Sequence, residues 1–183
     1  MSVRLVGLSG SLRQTSVNTA LLRTAADRAP SGVELRIEPL DDLPFYNADL
    51  ESTGLPAPVA RLHAAVANAD GLLLAFPEYN WSVPAVMKNA LDWLSRGGVD
   101  SPLHRLPVGM MSAAGGSGGR RAQAHMVDVL GHNEADVVGP AVRIARGGQH
   151  VVDGRLGEGP WTAEVDALLA ALADRARVVA DAA

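Results

Sequence analysis

The sequence predicts an α/β fold in which a parallel five-stranded sheet is covered by helices on both faces. Strand-like and helix-like segments alternate five times along the 183 residues, which is typical of parallel strands joined by crossover helices. The segment Gly71–Phe76 is almost wholly apolar, as expected of a central strand that is buried on both faces. One core suffices for a chain of this length, so we expect residues 1–183 to form a single domain.

The first half of the chain predicts three strands and two helices. Val33–Leu40 alternates apolar and charged residues, which indicates an edge strand with one solvated face. Asp41–Pro58 contains several Pro and Gly residues and few periodic apolar ones, so it is predicted to be a long connection. The regular elements are the strand Val3–Leu8, a helix from about Val17 to Ala29, the strand Val33–Leu40, the helix Ala57–Asn68 and the strand Gly71–Phe76.

The second half predicts two further strands and three helices. Ser82 is the expected N-cap of the helix that follows the central strand, and Pro84 is tolerated in its first turn. Gly139-Pro140 interrupts the last strand, and Asp153-Gly154 is a turn signal. The regular elements are the helix Val83–Arg96, the strand Leu106–Ser112, the helix Arg120–Leu130, the strand Ala135–Ala145 and a final helix with apolar positions from Trp161 to Val179.

The predicted strand order is 2-1-3-4-5, which places the reversal of winding between the first and third strands. Ligands of open α/β sheets bind in the crevice at such a point, outside the carboxyl ends of the strands. The loops Ser9–Asn18, Pro77–Ser82 and Ser112–Gly119 follow the first, third and fourth strands. We therefore expect these three loops to form one pocket.

Composition excludes several other classes of function. The net charge is −4 and the basic residues are scattered, which argues against nucleic acid or an anionic membrane as the partner. The chain has no Cys, and its five His residues show no zinc-binding spacing, so no metal site is expected. No leader precedes the first strand, and Ala167–Ala173 is too short to span a bilayer. These features predict a cytoplasmic protein.

The first loop combines hydroxyl groups, one cation and the start of a helix. An electropositive helix N-terminus with hydroxyl donors and a guanidinium suits a phosphate group. The loop matches neither the P-loop pattern nor the dinucleotide-binding glycine pattern. The alternative is that Ser16 only caps the helix while the other hydroxyls are solvated. The candidate phosphate ligands are Ser9, Ser11, Arg13, Thr15, Ser16 and Asn18.

The second and third loops favour a flat ligand. Pro77, Glu78, Tyr79 and Asn80 offer backbone hydrogen-bonding groups and an aromatic side chain to a ring system. Taken one at a time, each of these residues fits a simple Pro-Asn turn, with Tyr79 and Trp81 packed on a neighbour, better than it fits a ligand site. The glycine-rich loop Ala113–Gly119 lets a planar ligand approach the backbone closely.

Taken together, these motifs resemble those of the NAD(P)H-dependent FMN reductases, a flavodoxin-like family that includes bacterial quinone, chromate and azo reductases. The similarity extends over essentially the whole chain, and it is the joint occurrence of short motifs in the right order that makes it specific. The motifs are Gly10-Ser11-Leu12-Arg13 with Ser16 and Asn18, Pro77-Glu78-Tyr79-Asn80 with Ser82 and Pro84, Lys88-Asn89-Ala90-Leu91-Asp92-Trp93, and Ser112 followed by Gly118-Gly119-Arg120, Ala122 and Gln123.

The resemblance implies an FMN site and a homodimer or homotetramer. The helix that carries Lys88 and Asp92 would help form the subunit contact, and Gln14-Thr15 departs from the family pattern in the phosphate loop. By this resemblance the FMN phosphate would be bound by Ser11, Arg13, Ser16, Val17 and Asn18, the isoalloxazine would lie along Pro77, Glu78, Tyr79 and Asn80, and the ribityl chain and ring edge would lie near Ser112, Gly115 and Gly116.

The implied reaction transfers a hydride from NADPH or NADH to flavin N5 and then passes electrons to a small acceptor such as a quinone, flavin, azo compound or metal oxyanion. The cofactor supplies this chemistry, so no side chain is singled out as catalytic. Two alternatives remain at this stage. One is a flavodoxin-like electron carrier or FMN-binding module, and the other is a serine hydrolase that uses Ser117 with Asp136 and His150.

Overall fold

Five parallel strands form the central sheet in the computed structural model, which describes residues 2–181. They are β1 (Val3–Ser9), β2 (Val33–Glu38), β3 (Gly71–Ala75), β4 (Pro107–Ala114) and β5 (Asp136–Ala145). The order is β2-β1-β3-β4-β5, and all four neighbouring pairs are parallel. The predicted fold class and strand order are confirmed, and β2 lies at an edge as its alternating pattern predicts.

Helices cover both faces of this sheet. They are α1 (Val17–Asp27), α2 (Ala48–Ser52), α3 (Ala57–Ala67), α4 (Ala85–Leu94), α5 (Arg120–His132) and α6 (Thr162–Asp181). A small hairpin of β6 (Val151–Val152) and β7 (Arg155–Leu156) closes over the predicted turn at Asp153-Gly154. Within residues 2–181, no helix has both the length and the apolar composition that crossing a bilayer requires.

Two apolar clusters, one on each face, hold the layers together. Leu73 of β3 points into the cluster formed with α1 and α6, whereas Leu72 and Leu74 point into the cluster formed with α3, α4 and α5. All three leucines are fully buried. This alternation explains why β3 has no polar residue, because successive side chains of a strand point to opposite faces and both faces here are covered.

The helix after β3 begins later than predicted, and Ser82 is not its N-cap. The N-cap is Pro84, which has extended backbone and makes no side-chain capping bond. The prediction is wrong because the preceding residues form their own turn. The N–H of Tyr79 donates to the carbonyl of Ser82, and the N–H of Ser82 donates to the carbonyl of Tyr79.

The long connection between β2 and α3 contains a short helix, α2, that was not predicted from the sequence. Side chains of α4 hold this connection in place. Asn89 accepts from the N–H of Tyr46 at 2.8 Å and donates to the carbonyl of Pro44 at 2.9 Å, and the indole N–H of Trp93 donates to the same carbonyl at 2.9 Å. Asn89 is therefore not part of a solvated face, since its amide bonds backbone groups that lie 43 and 45 residues away.

Gly10 allows the loop after β1 to pack directly against the segment after β3. Its N–H donates to the carbonyl of Ala75 at 2.8 Å. A Cβ atom at this position would lie 2.6 Å from Cβ of Phe76 and 2.9 Å from Cγ of Pro84, closer than non-bonded carbon atoms approach. The relative position of these two segments therefore depends on the absence of a side chain here.

We expect Gly10→Ala to lower the free energy of unfolding by about 1–3 kcal/mol, the usual effect of adding a methyl group to a packed site. Gly131→Ala is the matched control, because Gly131 lies on α5 and a Cβ atom there would meet nothing within 4 Å. Since Ala favours helix over Gly, the control should be neutral or more stable by up to about 1 kcal/mol. Urea unfolding of both variants measures the difference, and equal stabilities would contradict the packing role of Gly10.

Candidate functional site

A cleft of about 250 Å³ lies at the carboxyl edge of the sheet. The loops after β1, β3, β4 and β5 surround it. Its lining residues are Ser11, Arg13, Ser16, Val17, Asn18, Pro77, Glu78, Tyr79, Ala113, Ala114, Gly115, Arg146, Gly147 and Gly148. A larger hollow of about 470 Å³ lies beside β2 and α3, but it contains no predicted site residue. The cleft, and not the larger hollow, is where the predicted loops meet.

The structure brings together nine of the thirteen predicted site residues in the lining of this cleft, and four lie outside it. The Ser9 hydroxyl bonds that of Thr19 at 2.7 Å. Ser112 is fully buried and accepts from Gln123 at 3.1 Å. Asn80 is exposed in the turn after β3. The fourth is Gly116, which is exposed in the glycine-rich loop.

Five lining residues were not among the predicted site residues. Ala113 and Ala114 lie in the predicted glycine-rich loop but were not named as ligand-binding residues, and they are the last residues of β4, which ends two residues later than predicted. The others are Arg146, Gly147 and Gly148, directly after β5. Their position after a strand could have identified them from the sequence, since the carboxyl ends of all parallel strands lie at one edge of the sheet.

The N-terminus of α1 opens into the cleft. Ser16 is the N-cap, and its hydroxyl oxygen accepts from the N–H of Thr19 at 3.2 Å. The hydroxyl proton of Ser16 stays available for an acceptor in the cleft. Val17 and Asn18 are the first two residues of the helix, so their N–H groups have no intrahelical acceptor. This end of α1 therefore offers several donors to an anion.

The Asn18 side chain ties α1 to β4 beneath the cleft. Its amide donates to the carbonyl of Ala113 at 2.9 Å and accepts from the N–H of the same residue at 2.8 Å. Asn18 is 3% exposed. Because both polar ends of the amide are occupied, the side chain holds the wall of the cleft, while its backbone N–H, in the first turn of α1, has no intrahelical acceptor.

Glu78 joins the loop after β3 to the start of α5. Its carboxylate accepts from the N–H of Arg121 at 2.8 Å and of Ala122 at 3.4 Å, and from the hydroxyl of Ser117 at 3.0 Å. The guanidinium of Arg121 also donates to it, at 3.3 Å. The N-cap of α5 is Gly119, which has no side chain that could accept from the first N–H groups of the helix. Glu78 therefore caps a helix that begins more than forty residues later in the chain.

Two opposing effects act on the pKa of Glu78. Burial, which leaves the side chain 7% exposed, disfavours the charged form. The N–H of Arg121, the hydroxyl of Ser117, the N–H of Ala122 and the Arg121 guanidinium all favour it. The hydrogen bonds outweigh burial, so the pKa of Glu78 lies below its ordinary value. The carboxylate is ionised at neutral pH and fully engaged in structure.

The cleft lining carries two cationic side chains. Arg13 is exposed, and its guanidinium donates to the Thr15 hydroxyl at 3.4 Å. Arg146, directly after β5, is also exposed. Within residues 2–181, neither guanidinium has a carboxylate within 4 Å. Both charges are therefore free to meet an anionic ligand.

The structure does not assemble the serine hydrolase triad. Ser117 follows the carboxyl end of β4, and its hydroxyl donates to Glu78. Asp136 opens β5 at the opposite edge of the sheet and bonds Arg175. His150 packs edge-on against Trp161, with 4.8 Å between the ring centroids. A ten-residue strand separates the acid from the serine loop, so the three groups cannot act together.

The chain has close similarity to flavin oxidoreductases. The family model described as NADPH-dependent FMN reductase matches residues 3–149, a span that contains every residue lining the cleft. A quinone reductase of Escherichia coli is 39% identical over 159 residues, which covers 85% of this chain and 84% of that protein. An NAD(P)H-dependent FMN reductase of Pseudomonas aeruginosa is 38% identical over 129 residues, with 70% and 69% covered.

A solved structure shows the same architecture. FerB, a flavoenzyme NAD(P)H:(acceptor) oxidoreductase from Paracoccus denitrificans, superposes with a TM-score of 0.86 at 27% identity. The superposition covers 96% of this chain and 98% of that one. The arrangement of strands, helices and cleft loops is thus shared along nearly the whole length of both chains.

The Glu78 cap predicts a specific dependence of stability on pH. Glu78→Gln should lower the free energy of unfolding at pH 7 by about 1.5–3 kcal/mol, because it removes the charge from buried hydrogen bonds. The pKa of Glu78 is lower in the folded protein than in the unfolded chain, so its contribution is complete above about pH 5 and is lost as the pH falls below about 4.

Urea unfolding of parent and variant between pH 3 and pH 8 gives the difference between them at each pH. The matched control is Glu34→Gln, an exposed carboxylate on β2, which should leave stability unchanged. A parent-to-variant difference that stayed constant across this range, or grew towards low pH, would contradict the capping role of Glu78.

Proposed function

The chain belongs to the NADPH-dependent FMN reductase family, and from this premise we propose that its cleft binds FMN and that the protein is an NAD(P)H-dependent flavin and quinone reductase. The observation that carries the proposal is the set of anion-binding groups at the start of α1, next to a glycine-lined cleft at the reversal of strand order.

The groups at the start of α1 fit the phosphate of FMN. The hydroxyls of Ser11 and Ser16 and the N–H groups of Val17 and Asn18 are donors, and Arg13 supplies a positive charge. Charge-assisted hydrogen bonds of this kind are stronger than those between neutral groups. The start of α5 is different, since Glu78 already occupies it. A phosphate is therefore directed to α1 and not to α5.

The rest of the cleft fits a long, partly planar molecule. A Cβ atom at Gly115 would meet nothing within 4 Å, so the backbone there borders open space that a ligand can fill. Tyr79 is 49% exposed and presents an aromatic surface beside Pro77. We assign the ring system to this side of the cleft and the ribityl chain to the edge near Gly115.

Bound FMN supplies the redox chemistry, by accepting a hydride from a reduced nicotinamide and delivering electrons to a small acceptor. The protein binds and orients the reacting molecules. Among the described lining residues the ionisable side chains are Arg13, Glu78, Tyr79 and Arg146, and Glu78 is committed to capping α5. Backbone N–H groups of the cleft loops are then the main donors available to a ring that gains negative charge on reduction.

Three further properties complete the proposal. We place the protein in the cytoplasm, where reduced nicotinamides are supplied, and we expect residues 1–183 to act as one domain. The protein forms a homodimer or homotetramer, in which α4 contributes to the contact. In support of this role, Lys88 and Asp92 form an ion pair on α4 with side chains 48% and 38% exposed, leaving both accessible to a second subunit.

Arg13→Ala should weaken FMN binding by about tenfold to a hundredfold, the effect of losing a hydrogen bond to a charged group. Riboflavin lacks the phosphate, so its affinity should not change. Calorimetric titration of the cofactor-free protein with each compound measures both values. The control is Arg177→Ala, a half-exposed cation on α6. If Arg13→Ala bound FMN as tightly as the parent does, Arg13 would not be a phosphate ligand.

The FMN-loaded protein should consume NADPH when a quinone such as menadione is added. The expected signs are loss of the yellow flavin absorbance on anaerobic addition of NADPH and its return when menadione follows. An electron carrier that does not react with nicotinamides would keep its yellow absorbance when NADPH is added. If the absorbance persisted for hours in excess NADPH and in excess NADH, the reductase function would be ruled out.

A further inference from the structure

Trp81 occupies a turn position at which glycine is the sterically favoured residue. The turn is closed by reciprocal backbone bonds between Tyr79 and Ser82, at 3.1 and 2.9 Å. The two residues between them, Asn80 and Trp81, have φ angles of +49° and +64°. Turns with two such residues favour Asn followed by Gly, because an aromatic side chain in the left-handed region is sterically strained. Strained residues of this kind concentrate at functional sites.

The indole of Trp81 contributes little to the core. It is 67% exposed. Its one close aromatic or cationic contact among the described residues is the Arg121 guanidinium, whose carbon lies 4.1 Å from the ring centroid. An exposed aromatic ring on a strained backbone adds little to core packing, but it offers a flat surface on which a ligand can stack.

Arg121 is held in place beneath this ring. Its guanidinium donates to Glu78 at 3.3 Å, and its N–H donates to the same carboxylate. Arg120, the preceding residue, is exposed, and no carboxylate within residues 2–181 lies within 4 Å of it. The carboxylate charge of Glu78 is offset by the start of α5. Arg120 and Arg121 thus give the start of α5, beside the Trp81 ring, two positive charges against the single negative charge of Glu78.

We call the Trp81 ring, with Arg121 against it, the platform. It adjoins the cleft, because Glu78 and Tyr79 line the cleft and Trp81 lies two residues beyond Tyr79 in the same turn. A ligand that reaches both places needs a reacting end, a phosphate linker and a second flat ring. A reduced nicotinamide dinucleotide has all three, whereas a simple quinone lacks the last two. We propose that Trp81, backed by Arg121, stacks against the adenine of NAD(P)H, with Arg120 beside its phosphates.

The proposal rests on the proposed reductase function, and it is tested by binding a fragment that cannot react. The probe is 2′,5′-ADP, titrated by calorimetry into the FMN-loaded protein. Trp81→Gly should weaken its binding by about tenfold, since a base stacked on an aromatic side chain is typically worth at least that order. Trp81→Tyr keeps a ring and should stay within about threefold of the parent. Arg120→Ala should also weaken binding.

Trp81→Gly separates a ligand role from a structural one. Glycine relieves the positive φ angle, so the midpoint of urea unfolding should stay the same or rise. The matched control is Phe45→Ala, because Phe45 is another exposed aromatic residue, at 79%, away from the cleft lining. It should bind 2′,5′-ADP as the parent does. A lower unfolding midpoint for Trp81→Gly with unchanged 2′,5′-ADP affinity would make Trp81 a packing residue and overturn the proposal.

Steady-state kinetics supply a second readout. Trp81→Gly should lower kcat/KM for NADPH relative to that for 1-benzyl-1,4-dihydronicotinamide, a hydride donor without the adenylate. Equal losses for both donors, or a loss confined to KM for menadione, would overturn the platform while leaving the reductase function intact. A parent protein that oxidises neither donor would instead overturn the reductase function.

Discussion

The carboxylate of Glu78 is the interaction on which the rest of the site depends. It lies in the loop after β3, yet it caps the helix that follows β4, and it fixes Ser117 and Arg121 at the same time. Burial alone would disfavour a charge in this position, but four donors converge on it and keep it ionised. Through this one group, the two loops that flank the middle of the cleft are held at a set distance from each other.

The two helix N-termini at the cleft therefore have different roles. At α5 the positive end of the helix is neutralised by Glu78, whereas at α1 the Ser16 hydroxyl satisfies one N–H and leaves those of Val17 and Asn18 to a ligand. The Asn18 amide fixes the start of α1 against the end of β4. The cleft is thus shaped by protein contacts before any ligand enters, which favours binding because little ordering is required.

Much of the fold followed from the sequence, because apolar periodicity and strand length are local properties. The strand order, the edge position of β2 and the meeting of three loops were predicted, and the position of Arg146 after β5 follows from the same rule. The role of Glu78 was not predictable, since its partners lie about forty residues away and glutamate in a loop is ordinarily solvated. The Ser82 cap failed for a related reason, because a turn closed by backbone groups competes with a helix start and leaves no side-chain signal.

Amide hydrogen exchange of the cofactor-free protein tests the preorganised cleft most directly. In this account the N–H groups of Arg121, Ala122 and Ala113 donate to no ligand, and they should be protected before FMN is added because they already donate to Glu78 and Asn18. Those of Val17 and Asn18 should exchange rapidly and become protected on addition of FMN but not of riboflavin. Rapid exchange at Arg121 and Ala122 until FMN binds would show that the ligand builds the cleft, and would contradict the account.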